Sequence, residues 1–200
     1  MARALLWLFL TLFAAPAWAA DDFDAFFEGL RTFRGEFEQV VRDAQGNELQ
    51  RSRGRLSIAR PGRFRWDYEQ PYRQLLLGDG ERLWTYDPDL EQATVRPQQE
   101  ALAGTPALLL SGGEHPRKLF EVRKEGGTYL LTPRKKGDQP FASLRLAFDK
   151  GVLTRMEFRD ELGQTTEILF HHARRNVRLE PGLFRFEPPA GTDVIEDVRN

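Results

Sequence analysis

Arg60 stands at the head of the stretch RPGRFRWDYEQP, residues 60–71, in which Phe64, Trp66 and Tyr68 alternate with Arg63, Arg65 and Asp67. On a pleated strand this alternation lines one face with three large rings and the other with charge. Rings of that size can shelter an apolar ligand while asking for few polar partners. Arg60 poses a different problem, because a guanidinium cannot be neutralised and its rigid fork of N–H donors must find acceptors. Two readings of it stand side by side. Either it lies at a solvated strand end, or it turns inward and hydrogen-bonds backbone carbonyls at the open end of a helix, holding a lid shut until a ligand competes.

Covalent chemistry has little to work with. The histidines are His115, His171 and His172; the adjacent pair, set on the strand EILFHHA, is expected to point to opposite faces, which spoils it as a bidentate metal site. Ser52, Ser57, Ser111 and Ser143 lack a G-x-S-x-G setting, and there is no cysteine. Carboxylates are plentiful but scattered over polar faces. The expectation is a protein without catalytic residues, metal or cofactor.

Several elements must position the rings. Phe23, Phe26, Phe27, Leu30 and Phe33 recur at intervals of three and four, with Asp22 available as an N-cap, so an amphipathic helix opens the fold. By Gly35 the period shifts to alternation, and Phe37, Gln39 and Val41 begin a first strand that turns at DAQGNE, residues 43–48. Turn signals then recur at Pro61-Gly62, Gln70-Pro71, Gly78-Asp79-Gly80, Asp87-Pro88, Glu125-Gly126-Gly127, Asp149-Lys150-Gly151 and Leu162-Gly163, a spacing that suits an antiparallel meander. Residues 98–115, QQEALAGTPALLLSGGEH, break the alternation. There Thr105 caps a short helix with Pro106 in its first turn, Ala107, Leu108, Leu109 and Leu110 follow, and Gly112-Gly113 end it.

A long twisted meander curls toward a barrel. Its concave face carries Leu56, Ile58, Phe64, Trp66 and Tyr68, and only a few helical turns are available to plug it, so the interior is expected to be incompletely filled: a ligand cavity.

The first nineteen residues do not belong to that fold. MARALLWLFLTLFAAPAWA has a basic residue, an apolar run and an A-x-A ending at Ala17 and Ala19, the pattern of a secretory signal. The mature chain is expected to be one domain, residues 20–200. Removing Arg3 leaves 28 basic residues against 30 acidic ones, a net charge of −2, which gives no electrostatic footprint for nucleic acid. An exported chain without cysteine must be held by its core alone, and it offers no thiol for an N-terminal lipid anchor.

The segment RPGRFRWDYEQPYRQLLLGDGERLWTYDPDLEQATV, with GTPALLLSG, YLLTP and FRFEPPAG, resembles the LolA family of periplasmic carriers of outer-membrane lipoproteins, from about Phe33 to Gly191. The resemblance implies a mainly β fold, an open, unclosed antiparallel β-barrel with a helical lid over a hydrophobic cavity that takes lipoprotein acyl chains. Arg60 falls on the arginine of the family's RP motif, implying a lid latch with acceptors near Phe27, Leu110 and Ser111. Leu56, Ile58, Phe64, Trp66 and Tyr68 then wall the cavity, and Pro106, Ala107, Leu108 and Leu109 form the lid helix. One departure is Ala107, where other members carry a larger apolar residue, which bears on how tightly the lid closes. The implied partners are lipoproteins, an inner-membrane lipoprotein-releasing ABC transporter complex and the outer-membrane acceptor LolB, with the carrier acting as a periplasmic monomer. The alternative is a half-barrel that senses or carries a different envelope lipid, because fold alone does not fix the ligand.

Overall fold

The computed structural model describes residues 22–98, 106–112, 114–135 and 141–196. Residues 1–19, expected to be an export signal, Thr105 and Gly113 lie outside them. The chain opens with helix α1, Asp22–Gly29. Six strands follow: β1 (Thr32–Arg42), β2 (Glu48–Ala59), β3 (Arg63–Gln70), β4 (Gln74–Asp79), β5 (Arg82–Asp87) and β6 (Gln92–Pro97). Helix α2, Pro106–Ser111, and a 3₁₀ turn, Pro116–Lys118, lead to β7 (Phe120–Glu125), β8 (Thr128–Pro133), β9 (Ser143–Asp149), β10 (Val152–Arg159) and β11 (Thr165–Arg175). The last strand is β12, Asp193–Glu196. Among the described residues no helix is long and apolar enough to cross a membrane.

The strands form one sheet in the order β12-β6-β5-β4-β3-β2-β1-β11-β10-β9-β8-β7. Two meanders, β1–β6 and β7–β11, are joined where β1 pairs antiparallel with β11. The sheet does not close, since β12 and β7 end the order. One pairing departs from the expected antiparallel pattern: β12 runs parallel to β6, because the chain after β11 crosses the molecule before adding its last strand.

The first helix is shorter than its periodicity suggested. It stops at Gly29, and β1 already begins at Thr32. Phe33 satisfies both patterns, lying seven residues after Phe26 and alternating with Gly35 and Phe37. The strand takes it, pairing Phe33 with Ile58 on one side and Arg175 on the other.

The main core lies against one face of the sheet. It joins Phe33 and Phe37 of β1, Leu56 and Ile58 of β2, Phe64 and Trp66 of β3, and apolar residues of β5 and β7–β11 to Phe23, Phe26, Phe27, Leu109 and Leu110 of the two helices. An isolated helix of α1's length has no stability of its own in water. Docking supplies it, at about 1.5–3 kcal/mol for each buried phenylalanine. Phe26 packs edge-on to Phe33 with centroids 6.1 Å apart, and Phe23 meets Tyr129 at 5.3 Å. A second, smaller cluster of Leu75, Leu77, Trp84, Ala93 and Val95 has Tyr86 and Phe186 packed against it. It uses the alternate residues of β4 and β5, so the segment after β11 covers the opposite face there.

Two glycines permit the close packing of the rings. A Cβ on Gly54 would lie 1.9 Å from the Asp67 carbonyl oxygen and 3.0 Å from the Phe37 ring. Gly54 pairs with Phe37 on one side and Tyr68 on the other, and the two rings approach to 5.2 Å, edge to face. At Gly78 a Cβ would fall 2.3 Å from the Phe64 ring, which lies over the glycine opposite it in register.

Candidate functional site

Helices α1 and α2 each end without a basic residue in the last turn, although the final carbonyls of a helix lack intrahelical partners and carry partial negative charge. A single side chain from the β2–β3 turn serves both. Arg60 donates from Nη1 to the Phe27 carbonyl of α1 at 3.1 Å, from Nε to the Leu110 carbonyl at 2.8 Å and from Nη2 to the Leu109 carbonyl at 3.0 Å. Its guanidinium carbon also lies 5.6 Å from the centroid of the Phe27 ring. Of the two readings of this residue, the geometry is that of the inward one. Burial lowers its pKa from the ordinary arginine value, but the group remains charged.

The sequence-expected acceptors divide. Phe27 and Leu110 accept directly from Arg60, and Leu109, expected only as lid, is the third acceptor. Ser111 is fully buried; its carbonyl accepts from the Gly62 amide at 2.8 Å, so the turn that carries Arg60 holds the end of α2 by three bonds, two from Arg60 and one from Gly62. Sequence reasoning missed Gln98, which braces this turn. Buried immediately after β6, it donates to the Gly62 carbonyl at 2.6 Å and accepts from the Gly80 amide at 3.1 Å. Nothing distinguishes it in the run RPQQE except its place just ahead of the segment that breaks the alternation.

A further fastening was also missed. Asp24 of α1 receives Arg117 from the 3₁₀ turn at 2.6 and 3.0 Å, with His115 Nε2 3.5 Å away. The Arg117 guanidinium lies 5.2 Å from the centroid of Phe23. Arg60 therefore holds the C-terminal end of α1, and Arg117 holds its first turn.

Beneath the helices lie the five expected wall residues. Leu56, Ile58 and Phe64 are at most 1% exposed and Trp66 is 7% exposed, while Tyr68 is partly buried against the same cluster. The sequence pointed to a hollow left partly vacant; here Phe23, Phe26, Phe27, Leu109 and Leu110 of the helices pack into one continuous cluster with the wall. Tyr68 donates its hydroxyl to Gln39 Oε1 at 3.2 Å, and burial pushes its pKa up to about 12, partly opposed by that bond. Pro106, Ala107 and Leu108, expected to form the lid, lie in α2.

The histidine pair corrects one expectation. His171 and His172 are both exposed and line the same groove beside Glu36, because the β1–β11 register shifts there and His172 adopts a positive φ of 52°. A bulge re-aims side chains that regular alternation would separate. Among the described residues no group of three or more His, Asp or Glu is placed to hold a metal ion.

Comparison with known proteins agrees with this architecture. A family model described as outer membrane lipoprotein carrier protein LolA matches residues 28–187. Relatives described as outer-membrane lipoprotein carrier proteins include one from Chromobacterium violaceum, 43% identical over 91% of this chain and 90% of its own. Those from Dechloromonas aromatica, 41% identical over 90% and 89%, and Nitrosomonas europaea, 39% identical over 98% and 100%, are similar. An uncharacterized conserved protein from Thermus thermophilus shares the fold, with a TM-score of 0.55 at 16% identity over 88% of this chain and 94% of that one. With the family match spanning most of the chain and relatives near two-fifths identity over almost their full length, the chain belongs to the LolA family of outer membrane lipoprotein carrier proteins.

Proposed function

We propose that this protein carries lipoproteins across the periplasm with their acyl chains lodged against the concave face of the sheet. The observation that supports this most directly is Arg60 tying the ends of both helices above a wall of rings. Each methylene withdrawn from water is worth about 0.8 kcal/mol, so acyl chains do not cross an aqueous compartment unshielded. In the unloaded form the side chains of α1 and α2 occupy the place the acyl chains take when the helices swing away. Loading exchanges one set of apolar contacts for another and breaks the Arg60 bonds. Their loss, on the order of 1–3 kcal/mol, offsets part of the gain, and the cargo is held weakly enough to pass to an acceptor with a better fit.

No catalytic step is needed in this cycle. Residues 1–19 act as the export signal, and residues 20–200 are the mature carrier domain. Loading draws on an inner-membrane lipoprotein-releasing ABC transporter complex and delivery ends at a LolB-type acceptor. The test is release of radiolabelled lipoprotein from spheroplasts into the soluble fraction with and without the purified protein. A soluble one-to-one complex, later lost to outer-membrane acceptor, is the expected result. Retention of all lipoprotein in the membrane would defeat the proposal.

A further inference from the structure

One polar group on the concave face has no partner among the described residues. The indole Nε1 of Trp66 is fully screened from solvent and makes no hydrogen bond to any of them, in a side chain only 7% exposed. An unpaired buried donor is costly, and folded proteins rarely keep one. The surroundings do not relieve it. Trp66 faces Leu56 and Leu76 in register on either side, with the Phe37 ring at 5.3 Å and Tyr68 stacked at 6.4 Å. The Tyr68 hydroxyl on the same strand face donates to Gln39, and its oxygen, still able to accept, makes no bond to the indole. A bridging water needs several polar partners, and beside the Tyr68 hydroxyl the side chains that flank the indole, Leu56, Leu76 and Phe37, are apolar.

The position calls for a ring, and phenylalanine would supply one without an orphan N–H, as it does at Phe37 and Phe64. Phe64, two residues away, lies in the same cluster as Leu109 and Leu110 of α2. When α2 lifts, the wall at β3 becomes accessible to what replaces it. Pure hydrocarbon has no acceptor to offer. Acyl chains joined through esters do.

Building on the carrier reading, we propose that the Trp66 indole N–H is a ligand-binding donor kept for an ester carbonyl of the diacylglyceryl group. It distinguishes acylated cargo from hydrocarbon of equal bulk. In the unloaded form its unmet bond disfavours the closed state slightly; in the loaded form the carbonyl satisfies it.

The test uses the mature protein with two probes, a cysteinyl peptide bearing an S-(2,3-diacyloxypropyl) group and its 2,3-dialkoxypropyl ether counterpart with chains of equal length. Outside the signal segment the chain has two tryptophans, Trp66 and Trp84, and Trp84 lies in the separate cluster on the other face. In ¹⁵N-indole NMR the Trp66 N–H signal is expected to shift downfield with the ester probe and much less with the ether, while Trp84 stays in place as an internal reference. Dissociation constants should show the ester bound more tightly relative to the ether by about fivefold, a preference that Trp66→Phe removes. An unmoved Trp66 signal on ester binding, or an ester-to-ether ratio identical in wild type and Trp66→Phe, would overturn the proposal and leave the carrier reading standing; the N–H would then be resting on the Phe37 ring. Failure of both probes to bind wild type would overturn the two together.

Discussion

Arg60 and Phe27 meet in two ways at once: the guanidinium donates to the Phe27 carbonyl at 3.1 Å and lies 5.6 Å from the centroid of its ring. The same residue thus engages both the backbone at the end of α1 and a side chain by which α1 docks. Since its other donors reach Leu109 and Leu110, movement of either helix is felt by the other.

Arg60→Leu removes the shared partner of three carbonyls while leaving the apolar contacts of both helices. The expected outcome is a folded protein, by circular dichroism, that accepts lipoprotein but hands it on at least about tenfold more slowly, because the closed form no longer competes with the loaded one. Arg60→Lys keeps the charge without the fork and is expected to rescue only part of the transfer. Normal transfer by Arg60→Leu, measured with labelled lipoprotein and outer membranes, would remove the latch from the mechanism.

Asp24→Asn weakens the fastening of α1 to the 3₁₀ turn. The Arg117 and Asp24 side chains are 40% and 33% exposed, so solvent screens the pair and its loss should cost only about 0.2–1 kcal/mol globally. The local effect is larger in proportion. Amide exchange in α1 is expected to quicken about two- to fivefold while the strands are unchanged, and added salt should narrow the difference.

How much of this was legible before the fold was known depends on the residue. Alternation through Phe64, Trp66 and Tyr68 gave the wall, since a period of two survives folding. The boundary between α1 and β1 was misjudged because Phe33 fits both periods, and pairing with β2 and β11 decided it. Arg60 was open to two readings because a residue at a turn has no dependable parity. Gln98 and the Asp24–Arg117 pair were invisible, being contacts between segments distant in sequence. The bulge at His172 was equally hidden, since nothing in EILFHHA marks the extra residue.

Tyr68 should report its burial in alkali. With its pKa pushed up to about 12 from the ordinary 10.0, the folded state holds the proton longer than the unfolded one. Its contribution to stability is complete below about pH 10 and is lost as pH rises toward about 12. A near-ultraviolet tyrosinate titration of the native protein is expected to show a late component that Tyr68→Phe abolishes; an unchanged titration would show that the ring is not shielded.

Gly54→Ala tests the close packing of β2 on β3. Its new Cβ would fall 1.9 Å from a backbone oxygen, which cannot move aside as a side chain can. A loss of about 1–3 kcal/mol is expected, read as a fall in melting temperature of about 2–10 °C. A melting temperature equal to wild type would mean that β2 and β3 part to admit the methyl group at no cost.

The gap between β7 and β12 has a mechanical consequence. In a closed barrel, strand number and shear fix the diameter; a sheet with two free margins has no set girth. Its strands can rotate about one another to widen or tighten the curl with every ladder bond intact, and only side-chain packing changes. Such a sheet is expected to adjust to tails of unequal length or number without breaking its main-chain scaffold.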